Sequence, residues 1–537
     1  MTKNNFFKKL ISKQSLLLVL MSLAMYFYNC YYATYGLYLF DFAITYDMGW
    51  YIFNGWIPFV DFRMPLMPLS GILTALSFYI FGVKYYSAAK LVGIVCVLSF
   101  IYMGRKLQNY IEPVFAYCAA FFIVLATLPV HGTFFYNQLS MLLFSIYLVL
   151  FLDYILKYEN FLGKKETTSS LIIFFFIALI SLNKFHIGIL SGLLFVAFEA
   201  YLLFQKKYNP KDVALSLFIR ISPLIILTFS LLIWIKFQVF DLVDNLFYSA
   251  NGEAFFDENA LMARMGIGGS NNIYSSSGIN MYLILLVSAG LIFYHFKFRR
   301  KKILADRLLC FIIFSSIVQI LSFIPSAEAP ASDIAFILIY LVMFYIYLRI
   351  TCFENESNCK ESRYVCLILL SAIFITCATF TIDYTRRHLR KAYDDNIGAF
   401  PYANFHLGDT YNLGGIKFFD EINVSWIQAK NFYYLNNIAK ENSAKNIFFG
   451  PELEMFYIVT KKFPPKNWPL WMHVNVSYNA DKQSAMRKIF IEQNYDVVVI
   501  SKHRYEFTDF LNDYISKEYV ELKQTDPDMW IRVFVRK

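Results

Sequence analysis

The composition of this 537-residue chain excludes an ordinary soluble enzyme. Hydrophobic residues make up 58% of the chain and charged residues 16%, whereas soluble domains average about 45–50% and about 25%. The mean hydropathy is +0.46, and apolar residues come in blocks of about 20, the length that crosses a hydrocarbon core. The sequence therefore predicts a polytopic α-helical membrane protein.

The net charge of +10 does not require nucleic acid as a partner. The basic clusters lie mostly in short loops between apolar blocks, where the preference of Lys and Arg for the cytoplasmic side explains them. The 8 cysteines form no CxxC pattern, and none follows Cys377. We therefore expect no nucleic-acid partner, no cysteine-based metal site and no disulfide scaffold in the polar C-terminal part.

The apolar blocks determine the predicted topology. They fall near 15–36, 66–82, 85–104, 113–130, 138–156, 170–183, 187–204, 214–235, 279–296, 308–324, 332–349 and 364–382. If 66–82 does not span, every basic loop from Arg105 onward lies in the cytoplasm, as the bias of short loops requires. Ser70, Thr74 and Ser77 form a polar stripe in that block, which favours an interfacial or packed helix. We predict about 11 transmembrane helices, an uncleaved first helix with a cytoplasmic amino end, and an outside carboxyl end.

The composition becomes polar from about residue 384. We predict a transmembrane domain over 1–383 and an extracytoplasmic α/β domain over 384–537. Its expected helices cover 417–440, 451–460 and 484–493, and its expected strands cover 446–449, 496–500, 520–524 and 530–535. Alternating elements of this kind are typical of small α/β domains.

The first outside loop, 37–84, is the richest in groups that can do chemistry. Asp47, Tyr51, Asp61 and Arg63 lie there among aromatic, Gly and Pro residues. A carboxylate in a partly dry environment can accept a proton from a hydroxyl, and a nearby cation can stabilise a leaving phosphate. The residues also allow a purely structural role, in which Asp47 caps a short helix and Asp61 pairs with Arg63.

A longer motif runs through the same loop. It reads Asp47-x-Gly49-x-Tyr51, Asn54-Gly55, Pro58-Phe59-x-Asp61-Phe62, Pro65-Leu66 and Phe81-Gly82. This motif resembles the first periplasmic loop of bacterial GT-C glycosyltransferases, and most of all the dolichyl-phosphate-mannose–protein mannosyltransferase superfamily, which includes the lipid A aminoarabinose transferases. The resemblance carries motif content over about residues 10–190. It implies that Asp47 is catalytic and that a sugar moves from a polyprenyl-phosphate carrier to an acceptor, with inversion at the anomeric carbon.

The sequence departs from the family pattern at acidic positions. Met48 stands where many members have Glu, and the amides Asn137 and Gln138 stand where a second outside loop often carries an acid. Divalent cations need carboxylate or His ligands. We therefore expect no metal and no other cofactor.

Further candidate contacts lie in later outside segments. Lys184 matches a family lysine at the membrane boundary and would hold the carrier phosphate, although a snorkelling lysine explains it equally well. His186 follows it. The long outside loop 236–278, which contains Arg264, is a candidate for donor or acceptor gating, with a disordered loop as the alternative. Glu328 in the next outside turn is a candidate to face the cavity, and both residues are possible substrate contacts.

Together these features predict a glycosyltransferase of the bacterial cytoplasmic (inner) membrane. Asp47 would deprotonate the acceptor, Arg63 and Lys184 would hold the phosphate, and Asp61 would orient Arg63 or the acceptor. Tyr51, Asn137 and Gln138 are possible substrate contacts. The sequence leaves three classes of acceptor open: a glycan, a lipid or a protein. A transporter or flippase for lipid-linked saccharide, and a glycan polymerase or ligase, remain alternatives.

The predicted topology can be tested by cysteine labelling in intact cells. Single cysteines placed near Gly55, Gly269 and Asp481 should react with an impermeant thiol reagent, because these positions lie outside. Cysteines near Lys164 and Lys301 should be protected until the cells are opened. Labelling at Lys301 together with protection at Asp481 would contradict the span count.

Overall fold

The computed structural model describes most of the chain. The described residues are 13–37, 40–64, 66–127, 133–204, 208–238, 242, 303–323, 332–352, 410–443, 445–472, 478, 480–524, 526 and 529–537. The predicted spans 279–296 and 364–382, the domain boundary at 383/384 and almost all of the loop 236–278 lie outside them.

The amino-terminal part is a helical bundle. In the described part it consists of α1 (Lys13–Tyr32), α2 (Phe40–Phe53), α3 (Leu69–Phe81), α4 (Tyr85–Leu107), α5 (Pro113–Thr127), α6 (Tyr136–Lys157), α7 (Lys164–Ser181), α8 (Phe185–Phe204), α9 (Pro210–Trp234), α10 (Ile303–Phe323) and α11 (Ser332–Cys352). Five of these helices, α1, α4, α6, α8 and α9, are long and apolar enough to cross a membrane. The expectation of a multi-pass membrane protein is confirmed, and the count of 11 spans stays a prediction.

The first predicted outside loop contains two helices rather than one. Asp47 lies in the interior of α2, so the suggestion that it caps a helix is wrong. The second helix, α3, packs against α2 so closely that a Cβ on Gly49 would lie 2.6 Å from Thr74 Cγ2. The polar stripe of α3 is buried. Its outer residues Tyr79 and Ile80 are exposed.

The carboxyl-terminal part is a small α/β domain, as predicted. Its elements are β1 (Tyr411–Asn412), β2 (Asn423–Val424), α12 (Trp426–Glu441), β3 (Ile447–Phe449), α13 (Phe456–Thr460), α14 (Gln483–Gln493), β4 (Val497–Ser501), α15 (Asn512–Glu518), β5 (Tyr519–Glu521) and β6 (Ile531–Arg536). The main sheet has the order β3-β4-β6-β5. The β3–β4 pair is parallel and the other two pairs are antiparallel.

Two predicted helices of this domain begin too early. The helix expected at 417–440 begins at Trp426, because the Ser425 hydroxyl caps it by accepting the N–H of Gln428. The helix expected at 451–460 begins at Phe456, because Glu452 has a φ of 67° in the left-handed region. That backbone conformation cannot continue a right-handed helix.

The α/β domain docks on the first outside loop. The Gly36 N–H donates to Asn423 O at 2.8 Å, and Leu470 N–H donates to Arg63 O at 2.7 Å. Phe463 stacks on Trp50 with ring centroids 5.6 Å apart. One hydrophobic cluster runs without interruption from the loop helices into the domain. The loop and the domain therefore share a core.

A buried ion pair joins the membrane helices α8 and α9. Arg220 Nη1 lies 2.8 Å from Glu199 Oε2, and both side chains are almost wholly buried. Tyr154 and Ser170 each donate a hydroxyl to Glu199 Oε1 at 2.7 Å. Since each charge is paired and hydrogen-bonded, the cluster explains how α6–α9 hold charged residues inside the bundle.

Candidate functional site

Asp47 lies at the junction of the loop and the α/β domain. Its side chain is 0% exposed, and it lies close enough to the domain for the charge of Glu454 to act on it. Neither carboxylate oxygen makes a hydrogen bond. Buried polar groups are nearly always hydrogen-bonded, and an unpaired buried carboxylate is costly. Such a group is a functional candidate with a physical reason behind it.

A second unpaired carboxylate, Glu454, comes from the α/β domain. It is 4% exposed and neither of its carboxylate oxygens makes a hydrogen bond of standard geometry. The turn that carries it leads into α13, which contacts α2. Glu454 and Asp47 are far apart in the sequence, and the docked domain brings them close enough for the charge of Glu454 to act on Asp47.

Both carboxyl groups favour their protonated forms. Burial, together with the charge of Glu454, raises the pKa of Asp47 well above its ordinary value. Burial, with a contribution from the charge of Glu452, raises the pKa of Glu454 to about 8, although nearby backbone N–H groups lower it in part. Burial also raises the pKa of Tyr51 and of Tyr457. Low dielectric and like charge both act against ionisation here.

Asp61 has a partner other than the one expected. Its Oδ1 accepts from Lys466 Nζ at 2.7 Å, and its Oδ2 accepts from the Ile57 N–H at 2.9 Å. Burial alone would raise the pKa of Asp61, but these hydrogen bonds bring it below its ordinary value. The expected Asp61–Arg63 pair is therefore wrong. Asp61 instead ties the loop to the α/β domain.

Arg63 lies in the same loop segment, 61–63, whose backbone pairs with the α/β domain. It forms a parallel bridge with Pro469, and its N–H donates to Trp468 O at 3.1 Å. Its side chain is half-buried. None of the ion pairs between described residues involves Arg63. The guanidinium is thus fixed at the backbone while its charge stays available.

Lys184 and the two amides come together at the turn between α7 and α8. Lys184 Nζ lies 5.2 Å from the centre of the Tyr136 ring. The adjacent Asn183 donates from Nδ2 to Tyr136 O at 2.5 Å, beside Asn137 and Gln138. Oδ1 of Asn137 and Oε1 of Gln138 accept no hydrogen bond. These buried oxygens therefore have unused capacity to accept hydrogen bonds.

The Lys184 turn also touches the first outside loop. Leu69 N–H, at the start of α3, donates to Leu182 O at 2.9 Å. His186 is half-buried beside the turn, whereas Arg264 and Glu328 lie outside the described residues. The structure therefore brings Asp47, Tyr51 and Glu454 into one group and Lys184, Asn137 and Gln138 into another, linked through α3.

The described residues around Asp47 supply two carboxylates, Asp47 and Glu454, and the expectation of no metal stays a prediction. Within the described ranges, no three His, Cys, Asp or Glu side chains are placed so that they could hold an ion. The Asn137 and Gln138 amides supply no charge to offset a metal. We therefore derive no chemical step through a metal.

The fold matches that of known membrane glycosyltransferases. A crystal structure of an oligosaccharyltransferase from Archaeoglobus fulgidus, in complex with Zn and sulfate, has a TM-score of 0.50 at 12% identity, covering 97% of this chain and 72% of that one. ArnT from Cupriavidus metallidurans, bound to undecaprenyl phosphate, has a TM-score of 0.47 at 12% identity, covering 97% of both chains. No protein-family model matches the sequence, and comparison with curated proteins gives no significant match.

These similarities concern the fold. The predicted resemblance to GT-C glycosyltransferases is confirmed at that level. At this identity the comparisons say nothing about which sugar, carrier or acceptor this chain uses.

The two raised carboxyl pKa values predict how stability depends on pH. Between the ordinary value of 4.5 and about 8 for Glu454, the folded protein binds more protons than the unfolded chain. The free energy of unfolding should therefore fall as the pH rises through this window. Glu454→Gln cannot titrate, so its stability should fall less.

Thermal unfolding of the detergent-solubilised protein, at about pH 5 and about pH 8, measures the effect. Glu492→Gln, the same change at an exposed position of the same domain, serves as the control. An equal loss of stability in the wild type and in Glu454→Gln would contradict the prediction.

Proposed function

We propose that the protein is a membrane glycosyltransferase that moves a sugar from a polyprenyl-phosphate donor to an extracytoplasmic acceptor, with inversion. One observation carries the proposal most strongly. The motif residue Asp47 is wholly buried without a hydrogen bond, at the junction of two parts of a chain that has the GT-C fold. A base held in a dry site with a raised pKa is well matched to activating a hydroxyl.

The proposed step is a single displacement. The acceptor oxygen attacks the anomeric carbon, and the bond from that carbon to the phosphate oxygen breaks. Its electron pair leaves with the polyprenyl phosphate, and the acceptor proton passes to Asp47. Attack on the face opposite the leaving phosphate gives inversion.

The leaving phosphate needs positive charge, which we assign to Arg63 and Lys184. Arg63 forms no ion pair with a described residue, and Lys184 lies at a turn that contacts the first loop through Leu182. Charge-assisted contacts to phosphate are about twice as strong as neutral ones. We assign no metal to this task.

The remaining predicted contacts have different roles. Asp61 is ion-paired with Lys466. It would hold the loop segment that carries Arg63 in place rather than contact the acceptor. The carbonyl oxygens of Asn137 and Gln138 would accept hydrogen bonds from sugar hydroxyls. Tyr51, His186, Arg264 and Glu328 remain proposed substrate contacts.

The proposed setting is the bacterial cytoplasmic membrane, with the amino end inside and the α/β domain (384–537) outside. A lipid-linked donor suits this side, because nucleotide sugars are not expected there. The oligosaccharyltransferase fold of one neighbour favours a lipid-linked glycan donor as the second candidate. In that case the protein would act as a glycan ligase.

Asp47→Asn tests the proton acceptor. The change keeps size and polarity but removes the base, so turnover should fall by about 10²–10⁴-fold, while donor binding changes far less. Turnover of the purified variant on a polyprenyl-phosphate sugar is the measurement. Asp212→Asn, at an exposed helix start, should be unaffected. Near-normal turnover in Asp47→Asn would refute the assignment.

Arg63→Ala and Lys184→Ala test the phosphate contacts. Each should weaken donor binding more than acceptor binding, because each removes a cation from the phosphate. Arg63→Lys should restore binding only in part, since a planar fork and a point charge are not interchangeable. Binding can be followed by titrating undecaprenyl phosphate.

The same preparations test the role of metal. Turnover should persist in EDTA if Arg63 and Lys184 balance the phosphate charge. Loss of turnover in EDTA with recovery on adding a divalent ion would mean that Asp47 or Asp61 binds metal, and the base would then be another residue.

A further inference from the structure

Asp47 and Glu454 are unusual because each is a buried acid with two unpaired oxygens. Both side chains are at least 96% buried, and all four oxygens lack a hydrogen bond. The nearby phenols of Tyr51 and Tyr457 are uncharged, and among the described residues no cation is a leading influence on the pKa of either acid. A buried carboxylate with a purely structural role usually has a cation or several hydrogen bonds. No hydrogen-bond donor of the described segments lies beside Asp47, whereas backbone N–H groups lie near Glu454 without forming hydrogen bonds of standard geometry.

We propose that Glu454 is a positioning residue, which strengthens Asp47 as a proton acceptor by placing a second carboxylate beside it in the same dry interior. This inference rests on the proposed function, in which Asp47 accepts the proton of the acceptor. Glu454 need not touch the substrate, because its charge acts on the substrate through Asp47.

The docked domain holds Glu454 in place. The backbone carbonyl oxygen of Glu454 accepts the N–H of Tyr457 at 2.9 Å, which fixes the start of α13. Next to this helix, Phe463 stacks on Trp50 of α2, and Trp50 Nε1 donates to Lys462 O at 3.4 Å. The two acids are thus held by packed elements on each side.

The titratable groups around Asp47 and Glu454 are carboxyl groups and phenols, which do not neutralise a negative charge. On α2 the neighbour is Tyr51, and on α13 it is Tyr457. Glu452 precedes Glu454 and Tyr495 lies beyond. The buried positions of α3 that face α2 are Ser, Thr and apolar residues. With no cation in this set, the second carboxylate makes Asp47 harder to ionise and therefore more basic.

A more basic Asp47 has two consequences that can be separated. A stronger base accepts a proton more readily in the transition state, so it raises the maximal rate. It also needs a higher pH to become ionised, so activity is lost earlier on acidification. The two effects move the pH–rate profile in opposite ways.

The variant Glu454→Gln separates the effect on the maximal rate from the effect on the pH dependence. It is nearly isosteric and removes the competing charge, so the acid limb of the turnover profile should move to lower pH. The plateau rate at high pH should fall, by less than the loss in Asp47→Asn. Glu454→Asp should restore both features in part. Glu492→Gln should reproduce the wild-type profile.

Infrared spectroscopy gives a readout that needs no turnover. At neutral pH the wild type should show the C=O stretch of protonated buried carboxyl groups, and this band should shrink in Glu454→Gln and in Asp47→Asn. A wild-type protein without the band would overturn the inference. So would a Glu454→Gln profile that is lower at every pH with an unmoved acid limb, because that is the signature of a purely structural residue.

Two results separate this inference from the proposed function. Normal turnover in Asp47→Asn would overturn the glycosyl-transfer assignment itself, whatever the infrared band shows. Loss of turnover in Asp47→Asn, with a wild-type profile in Glu454→Gln, would overturn only the role of Glu454. A dependence of turnover on a divalent ion would also overturn that role, because a cation would then neutralise the pair.

Discussion

The shared core between the first outside loop and the α/β domain is the contact on which the candidate site depends. Phe463 stacks against Trp50, and the backbone around Arg63 pairs with Trp468 and Leu470. This packing removes Asp47 from water. Burial is the largest cause of the raised pKa of Asp47, and the domain adds the charge of Glu454 as the second cause. The domain therefore helps to build the site.

The proposed role as a base explains why the buried Asp47 carboxylate has no hydrogen bond. A carboxylate used as a base must keep its lone pairs for the proton, and strong hydrogen bonds or a salt bridge would lower its basicity. Asp61, in the same loop, shows the opposite arrangement. It has Lys466 and the Ile57 N–H as partners and a lowered pKa. The two carboxylates of this loop thus have different roles, which their environments determine: Asp47 is proposed as the base, and Asp61 holds the loop against the domain.

The sequence predicted the features that depend on local pattern. The apolar blocks, the helix 483–493, the main strands of the α/β domain and the motif around Asp47 could all be read from composition and spacing. The helix α2 was not predicted. Its many aromatic and aliphatic residues show no clear helical alternation of apolar and polar positions, and turn-forming Gly and Pro residues follow it. The Asp61–Arg63 pairing was wrong for a related reason. Nearness in sequence suggested it, whereas the partner Lys466 lies 405 positions along the chain. Glu454 could be found only from the tertiary structure, since nothing in its local sequence distinguishes it from a packing residue.

A double-mutant cycle on unfolding free energy tests the central claim most directly. Asp47→Asn, Glu454→Gln and the double variant are compared at about pH 8, where the unfolded chain carries both charges. If the two acids share one buried site, each single change relieves the same unfavourable burial and repulsion. The double variant should then gain less stability than the sum of the single gains. Additivity within about 0.3–0.5 kcal/mol would show that the two carboxylates are independent, and would contradict a site built from the first loop and the α/β domain together.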